Sequence, residues 1–183
     1  MEYLIVPEPL TPSKDGEYDS SSNTWNSLIQ TSDGNKHRER VECLILKNNK
    51  VFLAFDDDEP NLYRIPGGST EPDVSLIQQL KDECKEESKI IIDNPKYMCT
   101  IKREYTYKEG RSEKAKFLKS VNYPNTSISY LYVARFKSRY KGLIDPYKID
   151  TRIMRGKFYE YSQIREVLIP AHKYALDKTF NVL

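Results

Sequence analysis

Residues Leu62–Ile90, LYRIPGGSTEPDVSLIQQLKDECKEESKI, decide how the rest of the chain is read. An apolar strand end leads into the Pro66-Gly67-Gly68 turn, then a polar loop, then an amphipathic run. Pro72 stands where a helix can start, because its missing N–H costs nothing in a first turn. From Val74 onward no Gly or Pro interrupts the run. Ile77, Leu80, Cys84 and Ser88 recur at helical spacing and predict a buried stripe. Glu83, Glu86 and Glu87 fall within an arc of roughly 100° beside it.

Three carboxylates on one helical face repel one another, at about 0.2–0.5 kcal/mol for each i,i+3 or i,i+4 pair. A solvated acidic face, interleaved with Lys81, Lys85 and Lys89, would account for the charges alone. The paired glycines upstream favour a functional reading, since they bring bare backbone close to the helix. Hard divalent cations such as Mg²⁺ take oxygen ligands from carboxylates, carbonyls, waters and substrate phosphates. A glycine-turn carbonyl facing three glutamates offers such a set.

The stretch resembles the Nudix box of MutT-type hydrolases, G-x5-E-x7-R-E-U-x-E-E-x-G-U with U a bulky aliphatic residue. Aligned from Gly68, this chain keeps Gly68, Glu83, Glu86, Glu87 and Ile90, with Cys84 a soft apolar stand-in. Ile65-Pro66-Gly67 and Glu71 also fit the usual lead-in. Three positions depart: Val74 replaces the first Glu, Asp82 the Arg and Lys89 the closing Gly. Asp82 removes a cation that would orient the glutamates, leaving Arg64 or Lys85 as the nearest substitutes. Lys89 loses the residue that ends a helix comfortably in a left-handed conformation. Val74 is expected to pack as the first apolar residue of the helix.

The resemblance implies an α/β fold, the Nudix-type α/β/α sandwich with a mixed β-sheet. It implies hydrolysis of a pyrophosphate bond in a nucleoside diphosphate linked to another moiety X, with Mg²⁺ or Mn²⁺ as cofactor. Glu83, Glu86 and Glu87 are then the catalytic metal ligands, joined by the Gly67 carbonyl. Arg64, Arg103 and Arg111 are the candidate substrate-binding cations. Tyr105 and Tyr107 lie near a position where some dinucleoside-polyphosphate hydrolases carry Tyr, a slight tilt that leaves nucleotide sugars, damaged triphosphates and capped RNA open. The alternative is a non-catalytic Nudix-fold module that binds a nucleotide or RNA. Dimers are common in the family, so a homodimer fits as well.

Composition sets the outer bounds. With 183 residues, 38% hydrophobic and 31% charged, the chain suits one soluble domain with a real core. A net charge of +2 gives no argument for nucleic acid or an anionic membrane. No apolar run approaches the roughly 18 residues that span a bilayer. Cys43, Cys84 and Cys99 have no C-x-x-C spacing and read as reduced thiols. The opening MEYLIVPEPL is too short and acidic for a secretory signal, so a cytoplasmic protein is expected.

Outside the box, residues 1–39 read as an arm packing on a hydrolase domain of residues 40–183. Tyr3–Val6 and Trp25–Ile29 are candidate strands, with a Pro- and Ser-rich loop from Glu8 to Thr24 and a turn at Ser32–Asn35. Val41–Lys47 and Val51–Phe55 predict a hairpin closed by Asn48-Asn49. Asp56–Glu59 reads as a solvated acidic turn. Ile90–Ile92 begins a strand, Asn94-Pro95 turns the chain, and residues 96–107 and 127–138 predict antiparallel neighbours. The polar stretch Lys108–Thr126 between them reads equally as a surface loop or as a functional one, in which Arg111 and its neighbouring lysines grip phosphates or Glu109 or Glu113 supplies a late catalytic carboxylate. Lys157–Tyr161 predicts a last strand, Ser162 the cap of a short helix, and Ala171–Phe180 a final helix. His37 and His172 have no partner pattern, and neither is a candidate for catalysis.

Overall fold

The hairpin expected from two β-branched runs is the spine of the sheet. The computed structural model describes residues 3–6, 16–19, 24–30, 36–55, 63–71, 73–104, 126–142 and 154–180. Strands β4 (Lys36–Lys47) and β5 (Lys50–Phe55) pair through Leu46 with Val51 and Lys47 with Lys50. Asn48 and Asn49 both take positive φ, 49° and 63°, as a two-residue turn matching the strand twist requires.

Ten strands appear among the described residues, and the main path runs β1-β8-β9-β4-β3-β2. The outer members are β1 (Tyr3–Val6), β2 (Gly16–Asp19) and β3 (Thr24–Gln30). The long central members are β8 (Ile90–Glu104) and β9 (Thr126–Arg139). Short β6 (Tyr63–Arg64) and β10 (Gly156–Glu160) pair with β5, and β7 (Gly67–Ser69) pairs with β4. Among the described strands only β4 and β9 run parallel, from Arg38 opposite Ser127 to Leu46 opposite Arg135, so the sheet is mixed.

Both faces of the central strands are covered. Val41, Cys43 and Ile45 of β4, with Ile128, Tyr130 and Tyr132 of β9, pack against Leu80 and Cys84 of helix α1 (Leu76–Ser88). Leu44, Leu131 and Val133 point the other way. They meet Ala171, Ala175 and Leu176 of helix α3 (Pro170–Phe180), which follows a short helix α2 (Tyr161–Ile164). Strands buried on both faces read as near-continuous apolar runs, as ECLIL and SISYLYVA do. The expected α/β/α sandwich is the observed architecture. No helix among the described residues is long and apolar enough to cross a membrane.

Several local expectations are corrected. Helix α1 starts at Leu76, four residues beyond Pro72, because Ser75 caps it by accepting from Gln78 N at 3.2 Å. Val74 therefore precedes the helix. The stretch Glu8–Thr24, expected as loop, contains β2. Asn94-Pro95 does not divide the strand that follows: β8 runs through it by bulging, with Asn94 at φ 49° and the register shifting on either side. Glu160, not Ser162, caps α2, in a reciprocal capping box with Gln163. The acidic turn Asp56–Glu59, the Ser32–Asn35 turn and the stretch 105–125, with Tyr105, Tyr107, Glu109, Arg111 and Glu113, lie outside the described residues.

Candidate functional site: a polar cavity beside the glycine turn

Strand β7 is short because its residues serve two neighbours. Gly67 and Gly68 pair with Glu42 and Val41 of β4, and Cys43 N donates to Pro66 O at 2.9 Å. The turn is thereby pinned beneath the last two turns of α1. A Cβ on Gly67 would fall 2.3 Å from the Val41 carbonyl oxygen, so only glycine fits this approach to β4. A Cβ on Gly68 would meet something different, the Glu83 carboxylate, with Oε1 only 2.2 Å away.

Glu83 and Glu87, one helical turn apart, both reach the glycine turn. Gly67 N donates to Glu87 Oε2 at 2.8 Å. Glu83 Oε1 accepts from the amide of Gln79, which is buried one turn earlier on α1. Burial pushes the Glu87 carboxyl up to about 7, and the charge of Glu83 adds to the rise. The Gly67 N–H and the guanidinium groups of Arg40 and Arg64 oppose it. Glu86 is half-buried between them in sequence and does not line the adjoining cavity. Among the described residues, no three His, Cys, Asp or Glu side chains stand together as a ready metal cluster.

Glu87 and Gly67 form one wall of a cavity of about 300 Å³, shared with Arg40, Glu42, Tyr63, Arg64, Arg103 and His172, and with Ile65, Met154 and Ile169. The three arginines are held differently. Arg103, from β8, is buried in a two-point pair with Glu42, with Nη2 2.7 Å from Oε2, and Nη1 also donates to Ser129 Oγ at 3.0 Å. Arg64 is exposed at β6, and Arg40 on β4 reaches Gly67 O at 3.4 Å.

The floor is a buried polar chain. Burial alone would raise the Glu42 carboxyl, but Arg103 and His172 outweigh it and hold Glu42 well below the usual carboxylate range. His172 Nε2 lies 3.5 Å from Glu42 Oε2, while its Nδ1 lies 2.8 Å from the Tyr63 hydroxyl. Ile169 N donates to that same hydroxyl at 2.7 Å, so Tyr63 ties the start of α3 to His172. Burial lowers the His172 pKa, against the pull of Glu42.

Of the residues the sequence nominated, Glu83, Glu87 and Gly67 come together, with Arg64 and Arg103 on the walls of the same cavity. Arg111 lies outside the described residues. Asp82, in the place of the family's Arg, accepts from Gln78 Nε2 at 2.9 Å on the exposed side of α1. Of the two cations offered to compensate for it, Lys85 lies over the Tyr140 ring at 4.6 Å, whereas Arg64 acts on Glu87. Arg40, Glu42, Tyr63, Gln79 and His172 were missed. A charged residue at Glu42, inside an apolar strand buried on both faces, is the one signal that announces a buried partner.

The fold is a Nudix-type architecture. No family model matches the chain, and no curated protein sequence matches it. Among solved structures it is similar to a NUDIX hydrolase from Nitrosomonas europaea, at TM-score 0.51 and 16% identity over 80% of this chain and 89% of that one. The dihydroneopterin triphosphate pyrophosphohydrolase of E. coli gives TM-score 0.54 and 12% identity, over 79% and 96%. A MutT NUDIX hydrolase from Burkholderia pseudomallei gives 0.51 and 14%, over 78% and 98%. The chain has the Nudix hydrolase fold.

Proposed function

We propose that the chain is a metal-dependent hydrolase of a pyrophosphate bond in a nucleoside diphosphate linked to another moiety. One observation carries the reading: two carboxylates of one helix converge on a glycine turn at the wall of a cavity lined by three arginines. The donor set suits a hard cation. Glu83 and Glu87 are crowded enough that each disfavours the other's charge, a penalty that a bound Mg²⁺ or Mn²⁺ would relieve.

Glu83 and Glu87, with the Gly67 carbonyl, would hold the ion, and Glu86, next to Glu87 in sequence, is the third carboxylate that the resemblance implies. When bound, a divalent ion neutralises phosphate charge and lowers the pKa of a water for attack at phosphorus. The chain's own residues prepare the cavity for an anion. Arg103 cancels the Glu42 charge at the floor, so the substrate's phosphates do not face a bare carboxylate. Arg64 adds positive charge at the wall. Tyr63 and Ile169 fix His172 in one orientation. A cavity of about 300 Å³ is at the small end for ligand sites, which favours a single small nucleotide over a long RNA.

In this reading residues 1–39 are an arm on a hydrolase domain of residues 40–183. The pairing of β1 along β8 and of β3 along β4 supports the packing, and β4 itself begins before the boundary, at Lys36. The second reading, a non-catalytic nucleotide-binding module, draws on the lack of a ready three-acid cluster among the described residues.

A panel of nucleoside-diphosphate compounds with Mg²⁺ or Mn²⁺, scored by phosphate or nucleotide release, separates the two. Turnover that falls by about 100-fold or more in Glu87→Gln supports the hydrolase. Binding of the same compounds without turnover would establish the module instead.

A further inference from the structure

We propose that Arg40 is the side chain that grips the substrate's diphosphate, a role nothing in the Nudix box marks out. The inference rests on the reading of the cavity as a diphosphate site. Arg40 projects from β4 into that cavity, two residues before Glu42 and on the same face of the strand. Its hydrogen-bonding capacity is poorly used. Nε is buried with no hydrogen-bond partner, and Nη2 makes one long contact, 3.4 Å, to Gly67 O. A buried guanidinium N–H left unmade costs more than an ordinary neutral donor, so it belongs where an acceptor arrives.

Arg103 cannot take this part. Both of its terminal nitrogens are bonded to Glu42, and Nη1 also to Ser129. Electrostatics points the same way. Gly67 O, the acceptor of Arg40, is also the carbonyl assigned to a cation, and a guanidinium there repels that cation. The arrangement is favourable only when a polyanion sits between the two. A planar fork of donors also matches the oxygens of a phosphate better than an ammonium does.

The test uses methylenediphosphonate, a diphosphate that cannot be hydrolysed, titrated calorimetrically into the full chain with Mg²⁺ present. Arg40→Gln is expected to weaken its binding about 10-fold or more. Arg40→Lys, which keeps the charge and loses the fork, is expected to fall between. Arg135→Gln removes the same charge from an exposed position on β9 and should change binding less than about twofold. Mg²⁺ binding measured without the diphosphonate should be unchanged or tighter in Arg40→Gln.

Wild-type affinity for the diphosphonate in both Arg40 variants would overturn the assignment while leaving the hydrolase reading intact. A parallel loss of Mg²⁺ and diphosphonate binding would also overturn it, since that is the signature of a collapsed glycine turn. Failure of the unaltered chain to bind the diphosphonate would remove the diphosphate site itself, and the role of Arg40 with it.

Discussion

The carboxylate of Glu83 occupies the space where a side chain on Gly68 would be: a methyl group there would lie 2.2 Å from Glu83 Oε1 and 2.4 Å from its Cδ. Helix α1 and strand β7 are thus fitted together through the absence of one carbon atom.

Two neighbouring glycine substitutions should therefore fail differently. In Gly68→Ala the intruding methyl meets the far end of a flexible side chain, which can swing away. The fold should lose about 1 kcal/mol or less, while divalent-metal affinity falls by about 10-fold or more. In Gly67→Ala the methyl meets the backbone oxygen of Val41. That clash separates β7 from β4 and should cost about 2–3 kcal/mol in a denaturant melt. Equal stability losses in the two variants would contradict this division.

Glu87 links stability to pH in an unusual direction. Its pKa in the fold is about 7, above the ordinary carboxylate value, so the folded state holds this proton more tightly than the unfolded chain. Stability from this group is present at low pH and declines as pH rises from about 4.5 to 7. Glu87→Gln should consequently raise the melting temperature of the metal-free protein at pH 8, with a gain on the order of 2 kcal/mol, and change little at pH 4. The gain should disappear when saturating Mg²⁺ stabilises the wild type. Thermal melts at the two pH values, with and without EDTA, measure it.

Replacing Arg103 with Met strands Glu42 in the interior. Removing one partner of a buried ion pair costs about 3–5 kcal/mol at neutral pH. The wild-type contribution of Glu42 is lost as pH falls below the usual carboxylate range, because its folded pKa is depressed. In Arg103→Met burial should dominate and raise the Glu42 pKa, so the variant's deficit should shrink on acidification. A double substitution, Arg103→Met with Glu42→Gln, should recover part of the loss. Chemical denaturation at pH 4.5 and 7.5 decides it.

Lys89 ends α1 in the left-handed conformation at φ 52°, its N–H meeting the carbonyls of Cys84 and Lys85. The geometry that the family's glycine serves is retained without the glycine. Lys89→Gly should relieve the steric cost and stabilise the protein by about 0.5–1 kcal/mol, net of the added freedom of the unfolded chain. Destabilisation on this substitution would mean that the lysine side chain contributes packing at the helix end.

Much of this was legible along the chain. The helical spacing of Leu80, Cys84 and Ser88, the β-branched runs around Asn48-Asn49 and the alternation in β9 are local patterns fixed by backbone period and turn sterics, and each became the element it predicts. Glu83 and Glu87 were placed on one face by the same arithmetic. Helix starts were harder to read: α1 begins after Ser75 and not at Pro72, and Glu160 rather than Ser162 caps α2, since a helix start leaves several orphan N–H groups that more than one polar side chain nearby can accept from.

The sequence by itself determined the separate strands and the helix that carries the glutamates on one face, because periodicity and glycine spacing are properties of neighbours along the chain. The sandwich was implied by the resemblance of the Nudix-like box. Only the tertiary structure decided the cavity. Arg40 and Glu42 from β4, Arg103 from β8, Tyr63 from β6 and His172 from α3 meet there although as many as 132 positions separate them along the chain. Which partners they find depends on which groups the sheet brings within hydrogen-bonding reach and shields from water, and no local pattern encodes that.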